Sequence, residues 1–512
     1  MCGVVGIIGS PEASREAFLG LTTLQHRGQD AAGILSYDQD GFHRVKNIGL
    51  VEAVFNRENM ATLTGPIAIG HARYATIGRG DLGDVQPFLL SYPFGVGLVH
   101  NGNIVNGADL SKQLKKDSKR TLLTQSDSEI VMNLFADALA RHYRESGADD
   151  SPNEISSDRK FDLICAAITD AQKRLNGSYS IVSILGEHGL VAFRDPHGIR
   201  PLVWGSRKQK PAEALPDSWK VQHAETAHMV ASESVSLAFM GYEKVRDIKP
   251  GEVLYIDLDG RVFHRELVKK EPKPCMFEWV YFASPESEVD EVPVYGTRIR
   301  LGKELGRLIK SRIENGTLGA ADLVVPVPET SRIAAIALAE ELGIPYREVL
   351  IKNRYIKRTF ILDSQEKRQS AVNLKLSPVR SEIEGKRILL VDDSIVRGTT
   401  SKKIIQLVRN AGAKEVTFVS TCPPIRKPCY YGIDFPNPKE LIASGRTDQE
   451  IEKELGANAV IYQDLEGLKA SIGLSGGKTP CMACLDGKYP TDVQAAGESF
   501  AQSRNRDRGG QG

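Results

Sequence analysis

The fold of the second half of the chain is decided by one stretch, Leu389-Leu390-Val391-Asp392-Asp393-Ser394-Ile395-Val396-Arg397-Gly398-Thr399-Thr400. An apolar strand ends at two acidic residues, and a short loop of small polar residues leads directly into a helix. Loop amides and a helix N-terminus bind phosphate groups, and the hydroxyls of Thr399 and Thr400 add further donors. The stretch therefore predicts a phosphate site in which Asp392 and Asp393 are placed to hold ribose hydroxyls.

Two alternatives to a ribose-phosphate site remain open for this stretch. It is also compatible with a generic phosphate loop, or with an acidic strand end that only caps a helix. A Walker loop is excluded, because no Gly-Lys-Ser/Thr triplet follows at the required spacing.

The sequence on both sides of the stretch repeats the order strand, turn, helix. Strands are predicted over 323–327, 387–391 and 416–420, with helices that begin at Ser331 and Ser401. This alternation predicts a parallel sheet with crossover helices. The first half is instead dense in short β-prone runs and predicts a sheet-rich α/β sandwich.

A change of composition at 269–274, where lysine and proline dominate, marks a candidate linker. We therefore expect one domain over 2–268, a second over 275–465, and a C-terminal tail over 466–512. The end of the tail, from Glu498, is almost without apolar residues and is expected to be disordered.

Two more segments precede the acidic stretch, Val325-Pro326-Val327-Pro328-Glu329-Thr330-Ser331 and Lys352-Asn353-Arg354-Tyr355-Ile356-Lys357-Arg358-Thr359-Phe360. With the acidic stretch they closely resemble the type I phosphoribosyltransferases, which bind phosphoribosylpyrophosphate (PRPP). The resemblance implies a parallel-sheet domain, a pyrophosphate loop, a basic lid, and Mg²⁺ held by Ser331, Asp392 and Asp393. It implies the following PRPP-binding residues: Glu329, Ser331, Lys352, Arg358, Asp392, Asp393, Ser394, Arg397, Gly398, Thr399 and Thr400.

The lid departs from the family pattern at two positions. Lys357 stands where the family usually has glycine, and Asn373 stands where arginine is common. These differences affect the expected lid kinetics rather than the reaction.

Cys2 is the most informative residue of the first half. It follows Met1, and its small side chain is of the kind for which the initiating methionine is normally removed. The new N-terminus would then carry a thiol and an α-amino group that titrates near pH 8, which together form a nucleophile and its base. The alternative is a small buried residue beside the apolar run 4–8.

Four further motifs follow Cys2 in order, namely Leu24-Gln25-His26-Arg27-Gly28-Gln29-Asp30, His71-Ala72-Arg73-Tyr74-Ala75-Thr76, His100-Asn101-Gly102-Asn103 and Ser126-Asp127-Ser128-Glu129. Together they resemble the N-terminal-nucleophile (class II) glutamine amidotransferase domain, an αββα sandwich. The resemblance implies Asn101 and the Gly102 amide as the oxyanion hole for attack by Cys2. It also implies glutamine binding by Arg27, Arg73 and Asp127, where Arg73 suits the α-carboxylate and Asp127 the α-ammonium.

Joined in one chain, the two halves resemble the glutamine PRPP amidotransferase family over nearly the whole sequence. The resemblance implies synthesis of 5-phosphoribosylamine from glutamine, PRPP and water, the first committed step of purine biosynthesis, with ammonia channelled between two sites. It further implies a homo-oligomer, dimer or tetramer, inhibited by purine nucleotides. The rival hypotheses are a glucosamine-phosphate or asparagine synthetase, and a PRPP or nucleotide sensor without turnover.

Seven cysteines occur in the chain, and Cys481 and Cys484 form a Cys-x-x-Cys pair suited to one metal centre. The contexts of Cys275 and Cys429 match those of cluster ligands in the iron–sulfur branch of the same family. Spacing alone leaves a [4Fe–4S] cluster and Zn²⁺ equally open, with a redox pair third. The resemblance favours a structural [4Fe–4S] cluster on Cys275, Cys429, Cys481 and Cys484.

The formal net charge of the 512 residues is +1, which gives no bias towards nucleic acid or acidic partners. No apolar stretch is long enough to span a bilayer, and the N-terminus does not resemble a signal peptide. A cytoplasmic location is the expectation.

Overall fold

The computed structural model describes residues 1–74, 81–147, 155–209, 225–352, 376–435 and 437–493. The predicted lid residues Arg358, Lys357 and Asn373 lie outside these ranges, as does the end of the chain from Glu498. Among the described helices, none has both the length and the apolar composition that a bilayer span requires.

The first half contains two antiparallel sheets. The seven-stranded sheet has the order β11-β9-β10-β1-β4-β2-β3, and the six-stranded sheet has the order β13-β12-β8-β7-β6-β5. The strands are β1 Gly3–Ile8, β2 Ala31–Asp38, β3 Gly41–Ile48, β4 Ile67–Arg73, β5 Phe88–Leu90, β6 Val96–Ile104, β7 Gly177–Leu185, β8 Gly189–Arg194, β9 Val203–Lys208, β10 Thr226–Ala231, β11 Glu243–Asp247, β12 Glu252–Asp257 and β13 Val262–Glu266.

The two sheets pack face to face, with helices on both outer sides. Alternate residues of β1 and β4, such as Val4 and Ile69, meet Val182 and Leu254 of the other sheet in one buried cluster. The helices of this half are α1 Ala13–Thr23, α2 Val51–Val54, α3 Arg57–Met60, α4 Gly107–Asp117, α5 Asp127–Glu145, α6 Ser157–Arg174 and α7 Ser234–Phe239. The order helix, sheet, sheet, helix is the sandwich that the sequence predicts.

The second half is built on a parallel sheet of four strands in the order β16-β19-β20-β21. The strands here are β14 Glu288–Val289, β15 Val292–Pro293, β16 Leu323–Pro326, β17 Leu350–Lys352, β18 Leu376–Pro378, β19 Arg387–Asp392, β20 Glu415–Ser420 and β21 Ala459–Tyr462. The predicted parallel sheet is confirmed, with strand ends within one residue of the expected ones.

Helices cover both faces of the parallel sheet, because its central strands are apolar on both sides. They are α8 Val294–Glu314, α9 Arg332–Leu342, α10 Arg380–Ile383, α11 Thr399–Asn410, α12 Asp448–Leu455, α13 Leu465–Ile472 and α14 Ala483–Asp486. Leu305 of α8 and Leu338 of α9 pack on one face, while Ile404 of α11 and Ile451 of α12 pack on the other.

The two halves share a buried cluster at their junction. It contains Val105 and Ile199 from the first half together with Trp279 of the π-helical turn Glu278–Phe282 and the cysteines of the tail. The segment around Cys481 joins this core through the backbone, since the Cys481 amide donates to Pro274 O at 2.7 Å. The domain boundaries at 268, 275 and 465 stay a prediction.

Candidate active site

Cys2 lies at the start of β1, at the edge of the sandwich. Gly3 pairs with Ala72 of β4, which brings Cys2 beside the end of β4 that carries Arg73. The Cys2 amide donates to Asn101 Oδ1 at 3.1 Å, and the Cys2 Sγ is 3.8 Å from Tyr74 O. The predicted nucleophile and the predicted oxyanion residue, 99 positions apart in sequence, are thus in contact.

Strand β6 of the other sheet carries the two predicted oxyanion donors, Asn101 and Gly102. The Asn101 side chain accepts through Oδ1, and its buried Nδ2 has no hydrogen-bond partner among the residues that the structure describes. Gly102 has φ +155°, and a Cβ there would lie 2.1 Å from Ser178 O, so no other residue fits. A donor without a partner close to the predicted nucleophile is compatible with the predicted oxyanion hole, which stays a prediction.

The two residues predicted to bind the ends of glutamine are held by the fold. Arg73 is buried, and its Nη2 is 3.8 Å from Asp84 Oδ2. Asp127 is the first residue of α5, which Ser126 caps, and Asp127 Oδ2 accepts from the Ile104 amide at 2.9 Å. These anchors leave the glutamine-binding roles of Arg73 and Asp127 as predictions.

His71 and His100 are buried beside this site and form hydrogen bonds that connect its strands to α5, a role that the sequence did not suggest. His71 Nε2 donates to His100 O at 3.2 Å, and His100 Nδ1 is 3.1 Å from Ser128 Oγ. Burial and the nearby charge of Arg73 lower the pKa of His71 to about 3, so this imidazole is neutral at physiological pH. Gln86 completes the network by accepting from the His100 amide at 2.6 Å.

Arg27 is fully buried behind Cys2. Its Nε donates to Cys2 O at 3.0 Å, and its remaining N–H groups contact Glu233 at 2.5 Å and Glu278 at 3.0 and 3.1 Å. Burial disfavours the charge, but the two carboxylates outweigh it and raise the pKa of Arg27. These contacts position Cys2, and glutamine binding by Arg27 stays a prediction.

Glu233 and Glu278 are site residues that the sequence reasoning missed. Glu233 also accepts from the Ser284 amide and the Ser287 hydroxyl, each at 2.8 Å, so it joins the two halves of the chain. No motif marks either glutamate, because each acts through partners that are distant in sequence.

The second predicted site lies at the carboxyl edge of the parallel sheet. Asp392 ends β19, and the Asp393 carboxylate accepts from Ser394 Oγ at 2.8 Å. Burial and mutual repulsion raise the pKa of Asp392, and burial raises that of Asp393 to about 6. A carboxylate pair of this kind suits a bound cation, which would favour the ionised forms.

The loop that follows the acidic pair ends at a helix N-terminus. Gly398 precedes α11 with φ +75°, and Thr399 and Thr400 form the first turn of that helix, whose amides face the loop. Arg397 does not extend freely from the loop, because its Nε donates to Glu440 Oε2 at 2.8 Å. The predicted loop and helix N-terminus are present, with Arg397 engaged in an ion pair, and phosphate binding there stays a prediction.

The predicted pyrophosphate loop adjoins this predicted phosphate site, because the Val327 amide donates to Val391 O of the neighbouring strand at 2.8 Å. Ser331 is buried and donates to Val327 O at 2.5 Å, whereas Glu329 pairs with Arg332 at 2.6 Å. Lys352 is exposed at the end of β17.

The four cysteines predicted to hold a metal centre, Cys275, Cys429, Cys481 and Cys484, are buried in the junction cluster. Cys275 and Cys481 pair through a parallel backbone bridge, and the Tyr431 amide donates to Cys429 Sγ at 3.4 Å. Burial raises the pKa of Cys275 to about 11. Within the described ranges no group of three or more His, Cys, Asp or Glu side chains is arranged to hold a metal ion. The cluster therefore stays a prediction, although the donor chemistry fits it.

Comparison with known proteins gives two domain matches. A glutamine amidotransferase domain matches residues 71–213, and a phosphoribosyl transferase domain matches residues 298–444. The first match includes Arg73, Asn101 and Asp127 but begins after Cys2, and the second includes the acidic pair and the loop that follows it. The chain is thus a glutamine amidotransferase joined to a phosphoribosyltransferase.

Curated relatives extend the likeness over almost the whole chain. The amidophosphoribosyltransferase of Escherichia coli is 44% identical over 472 residues, which cover 91% of this chain and 88% of the relative. The amidophosphoribosyltransferase of Pseudomonas aeruginosa is 41% identical over 506 residues, which cover 97% of this chain and 94% of the relative. A solved structure of glutamine PRPP amidotransferase from B. subtilis, complexed with ADP and GMP, has a TM-score of 0.79 at 36% identity and covers 96% of this chain and 98% of that chain. The protein belongs to the amidophosphoribosyltransferase family and is an enzyme.

Proposed function

We propose that the protein makes 5-phosphoribosylamine, glutamate and pyrophosphate from glutamine, PRPP and water, as a step of purine biosynthesis. The observation that carries this proposal is the contact between Cys2 and Asn101, in a chain whose other half places a loop and a helix N-terminus directly after an acidic pair. The acidic pair together with the loop that follows it argues against a glucosamine-phosphate or asparagine synthetase.

Glutamine hydrolysis would follow the chemistry of an N-terminal nucleophile. With Met1 removed, the nitrogen that is 3.1 Å from Asn101 Oδ1 becomes an α-amino group and takes the thiol proton of Cys2. The thiolate attacks the amide carbon, and the Asn101 Nδ2 and the Gly102 amide stabilise the oxyanion. The α-ammonium returns this proton to the departing nitrogen, so collapse of the intermediate releases ammonia and leaves a glutamyl thioester, which water hydrolyses to glutamate and the free thiol.

Ammonia would then replace pyrophosphate at C1 of PRPP. The amides of Gly398, Thr399 and Thr400 hold the 5′-phosphate, and the acidic pair orients the ribose. Ser331, Asp392 and Asp393 are the residues that would hold Mg²⁺, which neutralises charge on the departing pyrophosphate. Lys352 and Arg358 would close over the substrate and exclude water.

Regulation and assembly are part of the same proposal. The B. subtilis relative was solved with ADP and GMP, so we include purine nucleotides as inhibitors of this enzyme. A homo-oligomer and a cytoplasmic location complete the proposal, supported by the resemblance to the family.

The test of the function is a coupled assay for glutamate and pyrophosphate with glutamine, Mg²⁺ and PRPP. We expect both products in equal amounts, and only slow glutamate release when PRPP is left out, because the two sites act together. Release of glutamate that PRPP leaves unchanged, with no pyrophosphate formed, would contradict the assignment. Binding of PRPP with neither product would favour a sensor.

The [4Fe–4S] cluster predicts a metal content. Protein purified without oxygen should be brown and hold about four iron atoms per chain, the number of a [4Fe–4S] site. Removal of the metal should lower the unfolding temperature, because Cys481 and Cys484 would tie the tail to the second half. Cys481→Ala should lose the iron, whereas Cys165→Ala, a buried cysteine of the first half, should retain it. Stoichiometric zinc without iron would reverse the choice of metal.

A further inference from the structure

A segment of the second half, Tyr430–Gly432, reaches the strand that carries the candidate oxyanion hole. Asn103 Nδ2 donates to Tyr430 O at 2.8 Å, and Ser178 Oγ donates to Tyr431 O at 3.1 Å. Asn103 and Ser178 face each other across β6 and β7. The segment thus contacts β6 at Asn103, the residue that follows Gly102.

Besides Ser178, the Tyr431 carbonyl accepts from a second, charged side chain. Arg200 is fully buried and donates to Tyr431 O through Nε at 2.9 Å. Arg200 Nη1 is also 3.5 Å from Glu278 Oε1, and Glu278 holds Arg27 behind Cys2. The segment and the nucleophile are therefore held by one buried set of charges.

Gly432 lies close to Gly102, whose amide is one of the two predicted oxyanion donors. The φ of Gly432 is +96°, and a Cβ added there would lie 3.0 Å from Gly102 O and 3.3 Å from Gly102 C. A Cβ added at Gly102 would in turn lie 2.1 Å from Ser178 O of β7. The half-buried Gly102 therefore has close neighbours both in its own sheet and in the second half, which restricts the movement of its backbone.

We propose that Tyr430–Gly432 is a positioning segment for glutamine hydrolysis, which holds the backbone of Gly102 and the neighbouring Asn101 so that their donors point at the oxyanion. The glutaminase site in the first half is then complete only when the second half packs against it. This inference rests on the proposed roles of Cys2, Asn101 and Gly102. Donors of an oxyanion hole act mainly on the transition state, so their displacement changes kcat more than KM.

The test is Gly432→Ala in the full-length protein. We expect kcat for glutamine-dependent synthesis to fall about tenfold to a hundredfold, as small displacements of catalytic groups do. The KM for glutamine should change less than about twofold. Synthesis from ammonium salts should keep its wild-type rate, because the PRPP site is not touched.

The matched control is Gly445→Ala. Gly445 also has a positive φ, +71°, but a Cβ there would meet nothing within 4 Å. It therefore reports backbone strain without the contact to Gly102, and both synthesis rates should stay near those of the wild type. The metal content of Gly432→Ala should equal that of the wild type, which excludes an effect through nearby Cys429.

A second variant keeps the test decisive if Gly432→Ala does not fold. Ser178→Ala removes one hydrogen bond to Tyr431 O and should lower the glutamine-dependent kcat about two- to tenfold, the effect of one such bond. A wild-type kcat in every variant that folds, or a rise in the KM for glutamine with kcat unchanged, would overturn the inference. Glutamine-dependent activity that survives in Cys2→Ala would instead overturn the proposed function on which the inference rests.

Discussion

Replacement of Cys2 by alanine should abolish glutamine-dependent synthesis of 5-phosphoribosylamine while synthesis from ammonium salts continues. The loss should be on the order of 10⁴-fold or more, as for removal of a nucleophile in other covalent mechanisms. The thiol of Cys2 is the group that attacks glutamine, whereas added ammonia reaches the acidic pair and the loop that follows it without this thiol. Initial rates with glutamine and with ammonium chloride, at saturating PRPP, measure both activities.

The control for this prediction is Cys165→Ala. Cys165 is buried in a core cluster of the same half that does not include Cys2. Its replacement therefore tests whether the loss of a cysteine alone disturbs the glutaminase. Both rates should stay near wild type there. If Cys2→Ala kept its glutamine-dependent rate, Cys2 would not be the nucleophile, and if it lost the ammonia-dependent rate as well, the two sites would not be separable.

The sequence predicted the fold of both halves because local patterns there agree with the tertiary structure. The run 389–392 is apolar and then acidic, and it forms β19 at the centre of a parallel sheet. Alternation of strand and helix allows few arrangements other than this one. In the first half, the apolar run 4–8 lies in β1, which packs against the other sheet on one face and against the helix layer on the other.

The sequence did not predict the interactions that hold the glutaminase site in place. Arg27 belongs to a quoted motif, yet its partner Glu278 lies 251 residues away in the other half of the chain. The contact between Gly432 and Gly102 is similarly long-range, and the motif that contains Gly102 does not indicate its neighbour in the other half of the chain. Such pairs depend on how the two halves pack, and no local periodicity or spacing encodes that.

Arg397 shows a further limit of motif reasoning. Its position in the phosphate loop suggests a contact to PRPP, but its guanidinium pairs with Glu440 and lies 3.5 Å from Asp434. The motif indicates which residues surround a ligand. Whether the Arg397 guanidinium is already paired with a carboxylate depends on residues from another part of the fold, here Glu440 and Asp434. PRPP binding by Arg397 stays a prediction.

Replacement of the acidic pair gives the opposite pattern from Cys2. In Asp392→Asn and in Asp393→Asn, both glutamine-dependent and ammonia-dependent synthesis should fall, on the order of 10²-fold or more, because each carboxylate supplies positioning and charge at the reacting ribose. Slow hydrolysis of glutamine should continue, since Cys2 and Asn101 are unchanged. The measurement is the rate of pyrophosphate release from either nitrogen source, together with glutamate release without PRPP.

Folding of these variants can be separated from their loss of activity. Because burial raises the pKa of both carboxyls, and repulsion adds to it at Asp392, their ionised forms are less stable in the folded protein than in the unfolded chain. A neutral asparagine of the same shape removes that cost above the ordinary carboxyl pKa. We therefore expect unfolding temperatures at neutral pH, measured without added Mg²⁺, that equal or exceed that of the wild type.

Asp448→Asn provides the control for the acidic pair, since Asp448 is an exposed acid in the first turn of α12 of the same half. It should keep both synthesis rates, which shows that loss of an acid in this half is not itself inactivating. Ammonia-dependent rates near wild type in both Asp392→Asn and Asp393→Asn would contradict the placement of PRPP. A loss of the glutamine-dependent rate alone would place the acids in the coupling of the two sites, because PRPP use is common to both nitrogen sources.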